Sequence, residues 1–188
     1  MSDKYAEDPG APSLPATIGR SDVAIAGDRD LQFITFRIED EEYGIDILAV
    51  REIIAWTGVT QLPNTREYVR GVMNLRGSIL PVFDLRCRFG IGLTAVTPTH
   101  VIIIVNVDDK LIGILADAVS QILSIKAKDI RPVPDVHLMV DQAYLSGFAT
   151  AKDRMAAILD VDRLFDRAVL RESIEGVGAS GQHRKASS

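Results

Sequence analysis

The chain contains two stretches built on one template, and this internal repeat restricts the fold more than any other feature of the sequence. Leu31–Pro63, moved along the chain without a gap, matches His100–Pro132 at several apolar positions, a glycine and the final proline. The match resumes between Tyr68–Phe89 and Tyr144–Phe165, after seven extra residues in copy two. A period of about 70 residues is much longer than the repeat unit of a solenoid. The repeat therefore predicts two small, similar domains in tandem.

Short apolar stretches with strand periodicity recur in both copies. Ile34, Phe36 and Ile38 alternate with their neighbours, as in a half-buried strand, whereas Val101–Val107 is apolar on both faces, as in a strand buried more deeply. Many short strands at close spacing predict an all-β fold with two small antiparallel barrels. Leu48–Ile54 fits either a short helix or a bent strand.

Composition and the repeat together suggest the domain boundaries. Residues 1–30 mix Pro, Gly, Ser and acidic residues without periodicity, which predicts a disordered tail. The first barrel is expected at about 31–92 and the second at about 97–166, with an exchange of strands at the boundary left open. Residues 167–188 are expected to form a C-terminal helix and tail, and both tails are expected to be true termini.

Charge and cysteine content exclude several classes of protein. A net charge of −5 and a pI near 5.2 argue against a nucleic-acid partner, which requires basic patches. A single cysteine, Cys87, fits a reducing compartment. No apolar run is long enough to span a membrane, and the N-terminus lacks a signal core. We therefore expect a soluble cytoplasmic protein without direct insertion into a membrane.

The sequence offers no catalytic or metal-binding constellation. His100, His137 and His183 are scattered, and no cysteine or carboxylate lies at ligand spacing to them. Cys87 is more typical of a small core residue than of a nucleophile. An enzyme is therefore not expected, and neither is a cofactor or a metal ion.

The two copies differ most in a few polar positions of copy one. A shared frame explains the residues that are common to both copies, so residues found in one copy need a separate reason. Four positions of copy one stand out, with the equivalent residue of copy two in parentheses: Glu52 (Gln121), Asn74 (Thr150), Arg76 (Lys152) and Gly77 (Asp153).

These residues belong to motifs that carry a family resemblance. In copy one the motifs are Tyr43-Gly-Ile-Asp-Ile-Leu48, Val50-Arg-Glu-Ile53, Gly71-x-x-Asn74-x-Arg76-Gly77-x-x-x-Pro81 and Asp84-Leu-Arg86. In copy two they are Asp117-Ala-Val-Ser-Gln-Ile-Leu123 and Ile130-Arg-Pro132. The set resembles the CheW family, the coupling adaptors of bacterial chemotaxis, from about Phe33 to Phe165.

The resemblance implies a fold, a function and partners. The fold is a CheW-like domain over 31–166, with two SH3-like five-stranded barrels related by a pseudo-twofold and short connecting helices. The function is non-catalytic: such adaptors couple the cytoplasmic tips of chemoreceptors (methyl-accepting chemotaxis proteins) to the regulatory domain of the histidine kinase CheA, in a two-component system. The protein would then be cytoplasmic and recruited to membrane-associated receptor arrays.

The resemblance also implies a receptor-binding site in a groove between the barrels. The expected site residues are Val50, Glu52, Asn74, Arg76, Gly77, Val101 and Val119. Two alternatives remain open: Glu52 and Arg76 form an ordinary surface salt bridge, and the valines are simply core. Gly71 has a glycine equivalent in copy two and is interpreted as a structural turn, whereas Gly77 is interpreted as keeping the Arg76 loop open to a partner.

The seven extra residues of copy two suggest a second contact. Val136 and Leu138, within the apolar segment 133–140, are expected to bind the kinase; alternatively, this loop packs back on its own barrel.

Two other functions compete with that of an adaptor. A fragment of the kinase, or an adaptor fused to a receiver domain, is disfavoured because 188 residues leave no room for a further domain. A small-ligand-binding barrel would require a polar-lined pocket, which a sequence does not reveal.

Overall fold

A computed structural model describes residues 29–134, 140–151 and 154–165 together with residue 170. Within these residues the chain forms ten strands and two four-residue helices. The strands are β1 (Asp30–Ile38), β2 (Glu41–Asp46), β3 (Val50–Ala55), β4 (Val69–Leu75), β5 (Ser78–Asp84), β6 (Val101–Val107), β7 (Lys110–Ala116), β8 (Ala118–Lys126), β9 (Leu145–Ala151) and β10 (Arg154–Leu159), and the helices are α1 (Leu85–Arg88) and α2 (Val161–Leu164).

The strands form two five-stranded sheets, and each sheet takes strands from both copies. The first has the order β8-β1-β2-β10-β9 and the second the order β3-β6-β7-β5-β4. The first hairpin of each copy thus pairs with the last three strands of the other. This corrects the expected division into barrels at 31–92 and 97–166, and the strand exchange left open there is the observed arrangement. The exchange arises because the chain crosses from one sheet to the other after β2 and again after β7.

Each sheet is mixed rather than purely antiparallel. β10 pairs with β2 in parallel, and β5 pairs with β7 in parallel, whereas the other ladders are antiparallel. This differs from the expected antiparallel barrels, and both parallel pairs join strands of different copies, which the exchange brings together. Pro81 is tolerated in the inner strand β5 because the ladder with β7 begins at Val82, one residue after the missing N–H.

Each sheet has two edge strands. In each sheet a pair of backbone hydrogen bonds joins one edge strand to the residues that follow the other edge strand. Thr60, after β3, exchanges hydrogen bonds of 2.8 Å with Val72 of β4. Arg131, after β8, exchanges hydrogen bonds of 2.8 Å with Phe148 of β9. These bridges close each sheet into a small barrel and cover part of an edge that would otherwise be open to pairing with other chains.

Three clusters of buried side chains account for the core. One fills the barrel of the second sheet around Ile102 and Ile104, and a smaller one fills the other barrel around Phe33 and Ile158. The largest cluster contains residues of both sheets, and we call it the shared core. Its members include equivalent residues of the two copies, in the pairs Phe36 and Val105, Ile45 and Ile114, Val69 and Leu145, Phe83 and Leu159, and Phe89 and Phe165.

The equivalent positions in the shared core confirm the predicted fold class: two SH3-like five-stranded barrels related by a pseudo-twofold, with short connecting helices. Each helix follows a strand and begins at an aspartate, Asp84 for α1 and Asp160 for α2, whose carboxylate accepts a hydrogen bond from the backbone three residues later. The expected tails lie almost entirely outside the described residues.

One local expectation is decided by the structure. The segment Leu48–Ile54 combines both alternatives, because a 3-10 turn at Ile47–Ala49 leads directly into β3.

Gly71 lies where the closing bridge leaves no room for a side chain. Its φ is +137°, and a Cβ there would lie 2.2 Å from the backbone oxygen of Thr60. At Gly77, where φ is +92°, a Cβ would meet no atom within 4 Å.

We expect Gly71→Ala to lower the free energy of unfolding by at least about 2 kcal/mol and Gly77→Asn by less than about 1 kcal/mol, because only the first adds a backbone clash to the backbone strain. Thermal melts followed by circular dichroism measure both; equal losses would contradict the assignment of the clash.

Candidate functional site

The most distinctive surface feature is the two-residue turn between β4 and β5. Arg76 and Gly77 have φ values of +49° and +92°, and Leu75 pairs with Ser78 across the turn, which is the geometry of a type I′ hairpin. The side-chain oxygen of Asn74 accepts a hydrogen bond of 2.8 Å from the backbone N–H of Gly77. The backbone geometry therefore gives a structural reason for the glycine, and the interpretation that it also keeps the loop open to a partner stays a prediction.

Glu52 holds the arginine of this turn. Arg76 Nη2 donates a hydrogen bond of 3.0 Å to Glu52 Oε2, across the two outer strands β3 and β4. The Glu52 side chain is 23% exposed, whereas that of Arg76 is 81% exposed. The carboxylate thus fixes one end of a guanidinium whose remaining surface faces solvent. We call Glu52, Asn74, Arg76 and Gly77 the arginine turn.

In the other barrel, the structure describes the positions equivalent to Glu52 and Asn74, and both hold different residues. Thr150 takes the place of Asn74, and Gln121 takes the place of Glu52, with its backbone oxygen 3.3 Å from the hydroxyl of Thr35. The equivalents of Arg76 and Gly77 are residues 152 and 153, which lie outside the described residues. The carboxylate and the amide that shape the arginine turn are therefore specific to copy one.

The three predicted valines are half-buried and pack against the shared core. Val50 begins β3 and pairs with Val105, whereas Val119 lies at the start of β8 and pairs with Phe36. Val101 begins β6, where it pairs with Ala55 and Ala116. Each valine thus contributes to the core and also keeps part of its side chain at the surface, so the two interpretations of these residues are compatible.

The predicted residues do not form one contact cluster. Glu52 and Arg76 touch, Asn74 and Gly77 touch, and Val50 is two residues from Glu52 on the same strand. Val101 is four residues along β6 from the partner of Val50, a separation of roughly 13 Å. Val119 belongs to the other sheet. A partner that contacts all seven residues must therefore extend across both barrels.

A polar network that joins the two barrels is present in the structure and was not predicted from the sequence. His100 Nε2 lies 3.2 Å from Asp117 Oδ1, while Nδ1 accepts a hydrogen bond from Thr97 N, so Nε2 carries the proton. The second Asp117 oxygen accepts a 2.7 Å hydrogen bond from the backbone N–H of Glu39, whose side chain forms an ion pair with Arg86. The one sequence signal for this link between barrels is that Asp117 directly follows an apolar strand.

Two groups have shifted pKa values, and neither indicates a nucleophile. Burial raises the pKa of the Cys87 thiol, which keeps it protonated, the opposite of what a reactive thiol requires. Burial, assisted by Glu41 and Glu39, raises the pKa of Tyr43 to about 12. Among the described residues no group of His, Cys, Asp and Glu side chains is arranged to hold a metal ion.

The barrel interiors are filled by side chains, which argues against a small-ligand-binding barrel. Surface depressions of about 430 and 530 Å³ lie at equivalent places beside the two closing bridges, and both are open. Asn74 lines the first, and Thr150 lines the second.

The predicted kinase-binding residues, Val136 and Leu138, lie outside the described residues. The ends of their loop are described: Val133 packs against the shared core, and Val140 is buried within it. Both alternatives for the loop therefore remain predictions.

Two closed barrels with an exposed charged turn define the fold and the candidate site. Comparison with known proteins gives the family. The model of the CheW-like domain matches residues 32–169, and the chain belongs to the CheW family. It is 40% identical to the chemotaxis protein CheW of Rhizobium meliloti (strain 1021) over 74% of this chain and 88% of the relative.

Two further comparisons agree. The chemotaxis protein CheW of Klebsiella aerogenes is 38% identical over 71% of this chain and 80% of its own length. The crystal structure of the scaffolding protein TtCheW from Thermoanaerobacter tengcongensis aligns with a TM-score of 0.68 and 35% identity, over 75% of this chain and 91% of that chain. These names describe chemotaxis and scaffolding proteins. Within the described part of the chain, no helix has the length and apolar character needed to cross a bilayer.

The hydrogen bond from Gly77 to Asn74 predicts a measurable difference between two variants. Asn74→Asp keeps an acceptor oxygen in place, whereas Asn74→Ala removes it, so we expect a loss of about 0.5–1.5 kcal/mol in the free energy of unfolding for the alanine variant only. Denaturant unfolding with a two-state fit measures both values. The matched substitution Thr150→Ala on the other barrel is the control, and a similar loss in Asn74→Asp would contradict the role of the acceptor.

Proposed function

We propose that this protein couples the cytoplasmic tips of chemoreceptors to the regulatory domain of the histidine kinase CheA, and that the arginine turn is its receptor contact. As a member of the CheW family it is a chemotaxis coupling adaptor. The observation that carries the site assignment is the exposed Arg76 guanidinium, paired with Glu52 at the turn between β4 and β5. The protein would work at membrane-associated receptor arrays through its partners.

The geometry of the arginine turn supports recognition of a polar partner surface. A guanidinium presents several N–H donors in a planar fork, and Glu52 engages one end of it. Because the Glu52 carboxylate has already restricted the side chain, binding loses less conformational freedom than it would with a free arginine. The solvent-facing donors are then available to carboxylates or carbonyls of a receptor helix.

The valines supply the apolar part of the same site. A helical hairpin that docks in a groove is normally held by a few apolar anchors with a charged rim. Val50, Val101 and Val119 keep part of their side chains at the surface while they pack against the shared core. A receptor hairpin laid across these positions would contact both barrels, with Arg76 at the rim.

The kinase contact is proposed for the loop of copy two. Val136 and Leu138 belong to a segment whose two ends, Val133 and Val140, pack on the shared core. Apolar residues in a connecting segment often mark interfaces. The regulatory domain of the kinase, which by resemblance has the same double-barrel fold, would dock there.

Arg76→Ala tests the receptor contact. We expect the affinity for a receptor signalling-tip fragment to fall about tenfold, a typical effect of removing an interfacial arginine, while the affinity for the isolated kinase regulatory domain is unchanged. The stability should change by less than about 1 kcal/mol because the ion pair is exposed. Isothermal titration calorimetry against each partner measures both affinities.

Arg163→Ala is the matched control for this experiment. Arg163 also pairs with a carboxylate, that of Asp160 at 3.1 Å, and its side chain is 66% exposed. The control should keep full receptor affinity. Wild-type receptor binding by Arg76→Ala, or an equal loss in the control, would refute the arginine turn as the contact.

A further inference from the structure

Leu48 is the most exposed of the large apolar side chains in the described residues. It is 87% exposed, compared with 69% for Ile79 and 60% for both Ile122 and Met155. A single exposed leucine is common in soluble proteins. This one requires an explanation because of how it is held and because of what replaces it in the second copy.

The backbone presents Leu48 rigidly. It is the middle residue of the 3-10 turn Ile47–Ala49, and its N–H donates a hydrogen bond of 2.9 Å to the side chain of Asp46. At the other end of the turn, the N–H of Val50 donates to the backbone oxygen of Ile47. The turn is also the crossing from β2 in one sheet to β3 in the other, and it packs against β1 and β6. The side chain therefore projects from a fixed point between the barrels.

The equivalent residue of copy two is Asp117, at the crossing from β7 to β8. Its carboxylate is used inside the protein, where it bonds to His100 and to the backbone of Glu39. The scaffold thus uses this position for a polar link between barrels in one copy. In the other copy the position makes no such link, and it offers an apolar side chain to solvent.

We propose that Leu48 is an apolar anchor of the receptor-binding site, and that it inserts between apolar side chains of the two helices of a receptor tip. This inference rests on the proposed function. Leu48 is two residues from Val50 and four from Glu52 in one continuous segment, so a partner that reaches those residues meets it as well. The asymmetry with Asp117 directs the receptor to the crossing of copy one.

A truncation and a conservative substitution separate the role of the side chain from that of the backbone. Leu48→Ala should weaken binding of the receptor signalling-tip fragment about tenfold, as expected for an interfacial anchor. Leu48→Met keeps an apolar side chain of similar volume and should stay within about twofold of the wild type. Because Leu48 is exposed, both variants should melt at the wild-type temperature.

The matched control is Met155→Ala, which removes another exposed apolar side chain, on the other barrel. It should leave receptor affinity unchanged. Two other partners could occupy this surface: the kinase regulatory domain and a second copy of the chain. Calorimetric titration with the kinase domain tests the first, and sedimentation velocity of the protein alone tests the second. An effect of Leu48→Ala on the kinase or on self-association alone would overturn the inference.

The result also separates this inference from the proposed function. If Arg76→Ala weakens receptor binding and Leu48→Ala does not, the anchor is refuted and the receptor contact stands. If neither variant weakens receptor binding, the proposed receptor site itself is refuted. An equal loss with Leu48→Met and Leu48→Ala would assign the effect to the turn rather than to the apolar side chain, and would overturn the inference as well.

Discussion

The contact between the two short helices holds the two barrels together. The guanidinium of Arg88, at the end of α1, lies 4.9 and 5.2 Å from the rings of Tyr68 and Tyr144, which are equivalent residues of the two copies. It also donates a 2.6 Å hydrogen bond to the backbone oxygen of Leu164, its own equivalent in α2. Arg88 therefore lies close to the pseudo-twofold axis, where each cation–π contact contributes about 0.5–2 kcal/mol. Both tyrosines pack against the shared core, so this contact between the copies is continuous with it.

A duplicated frame with asymmetric contacts explains how one scaffold can serve different partners. The pairs in the shared core keep the two barrels alike, whereas the residues at three equivalent places differ: Arg88 and Leu164 near the axis, Leu48 and Asp117 at the crossings, and Glu52 and Gln121 on β3 and β8. At each place one copy has a charged side chain and the other an apolar or uncharged one. Because the backbone is common, these substitutions change the surface without changing the fold.

The sequence predicted the elements of the fold better than their pairing. The repeat placed equivalent strands correctly, since periodicity and turns are local, and it also singled out Glu52 and Arg76, which the structure brings to 3.0 Å. The strand exchange was not determined by the sequence, because either hairpin satisfies the same hydrophobic pattern in either barrel. The positive φ values at Arg76 and Gly77 were not predicted, because they are set by the turn type. Leu48 was missed because exposure depends on which residues of a short 3-10 turn face the core.

The strand exchange has a consequence for coupling between partners. The arginine turn lies on the barrel of the second sheet, whereas the loop that carries Val136 and Leu138 follows β8 of the first. Each barrel is built from strands of both copies, so the two copies cannot separate without breaking the ladders within each sheet. The ends of that loop, Val133 and Val140, contact the same shared core as Val50. A receptor and a kinase bound at these surfaces would therefore be held in a fixed relative orientation by one continuous core, which is the mechanical property that a coupling adaptor requires.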